Sequence, residues 1–271
     1  MHIVIMITAL FGLAIPFSLA AQMLPGIPRL LIEALLMGTA WTISVYLARV
    51  WLDKRSFSSL GAGWNAKGAK ALLTGIGIGG AIMAAIFLVE AGMGWIQIES
   101  IGWVEGGSGA AASGIGAWIF LFILVGWYEE LYFRGYLLTN LAEGMNRNWA
   151  LALSTIIFST AHLTNPNSSI ASLIGIIAAG LFLGYAYIRS RDLWLPVGIH
   201  IGWNVFEGVI FGFPVSGIET GALVHQFPTG PEIITGGSFG PEAGMILLPA
   251  LLLGIWLVER TKIDMEEKSA S

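Results

Sequence analysis

Residues 115–139 read IGAWIFLFILVGWYEELYFRGYLLT, and the reading of this stretch decides the fold. From Ile115 to Tyr128 no residue is charged, and the apolar side chains run around the whole helix circumference rather than along one stripe. A helix of that kind is made for lipid. Glu129, Glu130 and Arg134 then follow in the same run. A charge at membrane depth costs roughly 3 kcal/mol or more, so each of these groups needs a partner or a task.

The rest of the chain agrees with a lipid setting. Of its 271 residues, 56% are hydrophobic and 11% are charged, and the mean hydropathy is +0.78. A soluble domain carries about 25% charge. Windows of about 20 apolar residues give about eight spans, at 3–22, 29–50, 70–91, 115–139, 148–164, 169–188, 193–213 and 242–259. The fold class is therefore an all-α polytopic helical bundle, with residues 1–271 forming one integral membrane domain. The start, MHIVIMITALFGLAIPFSLAAQ, has a small-residue site like that of a signal peptide. It lacks the basic n-region, and an uncleaved first helix is the expectation.

Loop charge sets the orientation. With both termini in the cytoplasm, Arg49, Lys54, Arg55, Lys67, Lys70, Arg147, Arg189, Arg191, Arg260, Lys262 and Lys268 lie inside, and only Arg29 lies outside. The loops 92–114 and 214–241 carry Glu99, Glu105, Glu219 and Glu232 without a basic residue, which fits the outer side. Residues 226–242, QFPTGPEIITGGSFGPE, read as a turn-rich outer loop. Residues 56–68 lie along the cytoplasmic interface, and 260–271 form a solvated charged tail. The net charge of −4 and the absence of a basic cluster exclude a nucleic-acid partner. With no cysteine, thiolate chemistry is excluded, and any metal needs His, Asp or Glu ligands.

The ionisable residues inside the spans are Glu33, Glu90, Glu129, Glu130, Arg134, His162, His200 and Glu207. Glu130 and Arg134 stand at i and i+4 and form a structural pair. Glu129 points about 100° away and is left as the free carboxylate. Glu90, close to the outer boundary, is expected to be solvated, and Glu207 is expected to face the same cavity as His200. Asn204 is i+4 to His200 and shares its face. Counted at about 1.5 Å per residue, Glu129, His162 and His200 lie about 16, 21 and 12 Å from the cytoplasmic ends of three different helices. That permits one shared polar cavity. Each residue alone equally suits an interhelical hydrogen bond.

A buried glutamate with two histidines and an asparagine can turn water on a carbonyl. The chain has no HExxH pair and no intramembrane aspartates, and its best serine candidate, Ser113, sits at a span edge. A glutamate/histidine design remains.

In order, EExxxR (Glu129, Glu130, Arg134), FxxxH (Phe158, His162) and HxxxN (His200, Asn204) resemble the motifs of the CPBP family of CAAX prenyl proteases and bacteriocin-processing or immunity-associated (Abi) membrane proteins. The family-like core covers about 115–213. The resemblance implies an intramembrane endopeptidase acting on membrane-associated peptides or lipidated proteins, with CAAX-type processing close to the cytoplasmic leaflet. It implies that Glu129 activates water, that His162 holds that water or a metal, that His200 and Asn204 complete the site, and that Glu130 with Arg134 stabilises it. A zinc site would draw on Glu129, His162 and His200. A metal-free route would use Glu129 as base, and both routes stay open. The composition suits a prokaryotic plasma membrane, where the substrate would be a small secreted or signalling peptide. A proton-coupled transporter, or a non-catalytic immunity or regulatory protein, is the competing reading of the same polar cavity.

Overall fold

The computed structural model describes residues 26–102 and 108–261. Four helices in them are long and apolar enough to cross a membrane: Leu30–Leu52, Ala66–Gly92, Gly114–Gly144 and Ile170–Ser190. Of the expected spans, 3–22 lies outside the described residues, and every other one is found as a helix at its expected place.

Helix α1 (Gly26–Leu47) runs on into a π turn (Ala48–Leu52). Helix α2 (Ala66–Gly92) starts at Asn65, whose side chain accepts from Gly68 N–H at 2.9 Å and so caps a free donor. Helix α3 (Ser108–Glu130) continues through a π segment (Leu131–Leu138) into α4 (Thr139–Gly144). Helix α5 (Arg147–Ala161) has 15 residues, about 22 Å and short of a bilayer core of about 30 Å. Helix α6 (Ile170–Ser190) begins with a reciprocal capping box between Ser169 and Ser172. Helix α7 (Trp194–Asn204) passes into a π segment (Val205–Ile210). The short α8 (Glu232–Thr235) and the closing α9 (Leu247–Arg260) complete the helices.

Each of the expected loops 92–114 and 214–241 contributes one strand, which the sequence reading did not assign. Strand β1 (Ile96–Ile101) pairs antiparallel with β2 (Val224–Pro228), with a bulge between Ile98 and Ser100. The ribbon joins two segments far apart in sequence, so no local turn signal announces it. Near its foot, Glu90 is fully buried and not solvated as expected.

The closest helix packing is between α2 and α7. Gly75 and Gly79 face Gly198 and Gly202, and a Cβ on any of the four would collide with backbone of the opposite helix. This is the small-xxx-small packing that lets membrane helices touch backbone to backbone. It has a functional consequence for α7. Position 200 lies about 200° round the helix from both 198 and 202, so the glycine seam turns His200 away from α2 and towards the interior.

Candidate active site

The helices α1, α3, α5, α6 and α7 surround a chamber of about 350 Å³. Its wall is mostly apolar, including Trp41, Phe122, Phe133 and Ile176, while Glu129, His162, His200 and Asn204 supply polar groups. The four residues expected to share a cavity do so. Glu207 does not line it. That carboxylate is fully buried beside Gly240, on the loop that leads to Glu242.

Each imidazole is fixed through Nδ1. His162 ends α5, and its Nδ1 lies 2.9 Å from the carbonyl oxygen of Phe158 one turn back. His200 Nδ1 lies 2.9 Å from Glu130 Oε1. A carbonyl and a carboxylate only accept, so in both rings Nδ1–H is the donor and Nε2 is free to face the chamber. The two Nε2 atoms stand 4.0 Å (His162) and 3.9 Å (His200) from Glu129 Oε2.

Glu130 and Arg134 form the expected pair, with Arg134 Nη1–H donating to Glu130 Oε1 at 2.6 Å. The pair does more than balance charge. Oε1 also receives His200 Nδ1–H, and Arg134 Nη2–H donates to the Gly180 carbonyl at 3.2 Å. The guanidinium lies 4.2 Å over the Phe158 ring. Arg134 therefore ties α6 and α5 to α3, while Glu130 carries that anchorage on to His200. Glu130 is fully buried and does not reach the chamber, so it acts behind His200 rather than on a reacting atom.

Glu129 Oε2 is buried without a hydrogen-bond partner. A buried acceptor of this kind calls for water or another donor. Gaps of 3.9 and 4.0 Å are too wide for direct hydrogen bonds, but one water making bonds of about 2.8 Å closes either with an angle near 90°. The donor set is also that of a His2Glu zinc site. Ligands at about 2.0–2.1 Å on a tetrahedral ion stand about 3.3 Å apart, closer than these donors do. Among the described residues, no three His, Asp or Glu side chains gather tightly enough to hold a metal ion. The donor chemistry suits zinc, while the spacing suits water.

Sequence reading missed Glu242. It lies at the end of the turn-rich outer loop, is 5% exposed, accepts from Ser216 Oγ–H at 2.6 Å, and lines the chamber. Its only sequence signal is an acid at the edge of a span. It is held firmly: a Cβ on Gly175 of α6 would strike the Glu242 carbonyl, and Gly240 sits at φ +104°, a conformation open to glycine alone.

Arg49, Arg55, Gly61, Glu143 and Leu193 gather at one end of the bundle. Asn165, Val215, Ser216, Ile218 and Glu242 line the chamber from the opposite end. Depth counts along single helices left open which loops fold over the site.

Comparison with known proteins points in the same direction as the motifs. Residues 111–206 match the family described as type II CAAX prenyl endopeptidase Rce1-like. A curated relative from Bacillus subtilis (strain 168), named "Putative membrane peptidase YdiL", is 27% identical over 111 residues, which is 41% of this chain and 41% of the relative. No solved structure matches.

Proposed function

We propose, from a chain whose core is similar to the CPBP membrane proteases, that the protein is an intramembrane endopeptidase in which Glu129 activates water. The observation carrying this reading is the placement of one unpartnered carboxylate oxygen 3.9 and 4.0 Å from two imidazole Nε2 atoms, each ring locked through its other nitrogen.

A water in that space gives one hydrogen to Glu129 Oε2 and the other to His162 Nε2, leaving a lone pair for the substrate carbonyl. Glu129 takes the proton as the C–O bond forms and returns it to the departing amine nitrogen as the C–N bond breaks. The Asn204 amide N–H, and His200 through Nε2–H in its protonated form, face the developing oxyanion. Such a donor is worth about 3–4 kcal/mol in other enzymes. Glu130 and Arg134 hold His200 at its station. A zinc ion, if bound, would polarise the carbonyl and the water. Because the donors stand wider than zinc ligands do, no step here is routed through it.

Two substrate classes follow from the family: a lipidated C-terminal tail processed CAAX-fashion, and a small exported or signalling peptide. We place the protein in a prokaryotic plasma membrane with both termini cytoplasmic, as the loop charges support. The test is cleavage of single-span peptides by the purified, reconstituted protein beside Glu129→Gln and His200→Ala. Both variants should insert normally and cleave nothing. A carrier would instead move a solute and leave every peptide whole, and that outcome would defeat the proposal.

A further inference from the structure

A second cleft, of about 350 Å³, lies at the end of the bundle where Arg49, Arg55 and Glu143 gather, and it shares no residue with the chamber. Leu138, Thr139 and Glu143 line it from the continuation of α3 into α4, Tyr187 and Arg191 from the end of α6, and Arg147 from the start of α5. Its floor is tied together. Tyr187 Oη–H donates to the Leu60 carbonyl at 3.1 Å, and Thr139 Oγ1 lies 3.0 Å from Tyr187 Oη. These contacts join α4, α6 and the short helical turn Phe57–Leu60 around one hollow.

The cleft stands at the membrane boundary. The apolar span Gly114–Gly144 ends three residues before Arg147, and the span Ile170–Ser190 ends one residue before Arg191. Trp149, two residues into α5 from Arg147, is 71% exposed, as suits an indole at the level of the lipid head groups. A group held between the two arginines therefore sits at the depth of lipid phosphates.

Charge names the occupant. Glu143 is the acid of the wall, and its Oε1 is already taken, with Arg55 Nη1 at 2.6 Å and Arg49 Nη1 at 3.7 Å. Arg189, close by on α6, pairs with Glu259 at 3.4 Å. Among the described residues Arg147 and Arg191 meet no acid, and both are exposed. Arg191 also closes α6 at φ +52°, the left-handed conformation in which glycine is the usual residue. A guanidinium thus stands at the cleft at some cost in backbone energy. Two uncompensated guanidiniums suit an anion with several acceptor oxygens, which arginine grips through its fork of N–H donors. Basic pockets between membrane helices take anionic head groups on this account.

We propose that this cleft is a binding site for the head-group phosphate of an anionic phospholipid, held between Arg147 and Arg191.

The test follows thermal unfolding of the purified protein in neutral phosphatidylcholine–detergent micelles as phosphatidylglycerol is titrated in. It needs no cleavage, so it stands apart from the protease reading. Phosphatidylglycerol should raise the unfolding midpoint saturably, because a ligand of the folded state stabilises it, while added phosphatidylcholine should not. A parent protein that responds to neither lipid, or to both alike, overturns the proposal. At about fivefold in affinity for each cation near an anionic surface, Arg147→Gln with Arg191→Gln should raise the half-saturating lipid fraction about 25-fold. If that pair does not fold, each single substitution is read in the same way, at about fivefold. An arginine variant that titrates like the parent overturns the site. The control Lys67→Gln with Lys70→Gln removes equal charge from exposed positions outside the cleft and should titrate like the parent. An equal loss there would show a diffuse charge effect and overturn the site as well. Inorganic phosphate added to phosphatidylcholine micelles separates the two sources of the anion. No rise supports the lipid, and a rise equal to that from phosphatidylglycerol overturns the lipid assignment.

Discussion

Arg134→Ala tests the division of labour between the adjacent acids. The guanidinium is buried, donates to Glu130 Oε1 at 2.6 Å and to the Gly180 carbonyl at 3.2 Å, and lies 4.2 Å over Phe158. Removing one partner of a buried ion pair costs about 3–5 kcal/mol, because the other charge is left uncompensated. Here His200 Nδ1–H keeps its hold on Glu130 Oε1, which puts the expectation at the lower end, about 3 kcal/mol. That is more than a hundredfold in the folding constant, at about 1.4 kcal/mol per tenfold. The assay is reversible unfolding in mixed micelles by a denaturing detergent, read by tryptophan fluorescence. The companion variant Arg134→Met with Glu130→Gln removes both charges, and it should recover most of the lost stability, since no ion remains stranded. It should not recover activity, because His200 has lost the carboxylate that sets its tautomer. An Arg134→Ala protein within about 1 kcal/mol of the parent, a loss ordinary for any substitution, would refute the reasoning.

Four further outcomes are expected. Glu129→Gln should lower peptide cleavage by at least about 10²–10⁴-fold, the range of a general base, with stability unchanged in the same unfolding assay. Asn204→Ala should lower kcat by about 10²–10³-fold with KM little altered, as expected of a donor that acts on the oxyanion; a change confined to KM would remove it from that role. Gly198→Ala should destabilise the fold by about 1–3 kcal/mol through overpacking against the α2 backbone, while Gly77→Ala on the open side of α2 should be neutral or slightly stabilising. Elemental analysis of purified protein, with cleavage measured after exhaustive chelation, should show activity that persists without metal; stoichiometric zinc whose removal abolishes cleavage would favour the His2Glu alternative.

Much of the site was legible because helical spacing is a strict ruler. Glu130 to Arg134, Phe158 to His162 and His200 to Asn204 are each one turn apart, and the structure keeps the members of each pair close, even where a π segment follows Glu130. What the ruler does not carry is rotation about each helix axis and the covering of the bundle end. His200 sharing Glu130 with Arg134 depends on how α7 is turned against α2, which glycine contacts decide. Glu242 reaches the chamber on a loop whose path is fixed by backbone contacts to α6, so no periodicity points to it. Glu90 is buried by the end of the bundle that the β1–β2 ribbon closes, a pairing between segments more than 100 residues apart. The fold class, by contrast, follows from hydropathy alone, since lipid leaves the helix as the way for one apolar segment to satisfy its own backbone.

The glycine seam between α2 and α7 also limits how this protein breathes. Two rods meshed carbonyl to Cα have no compliant side chains between them to absorb sliding, so His200 and Asn204 ride on a rigid chassis. Any parting of the walls that admits a peptide must then fall at another seam of the chamber, where side chains rather than backbones meet. The glycines form the jamb against which such a movement would be braced.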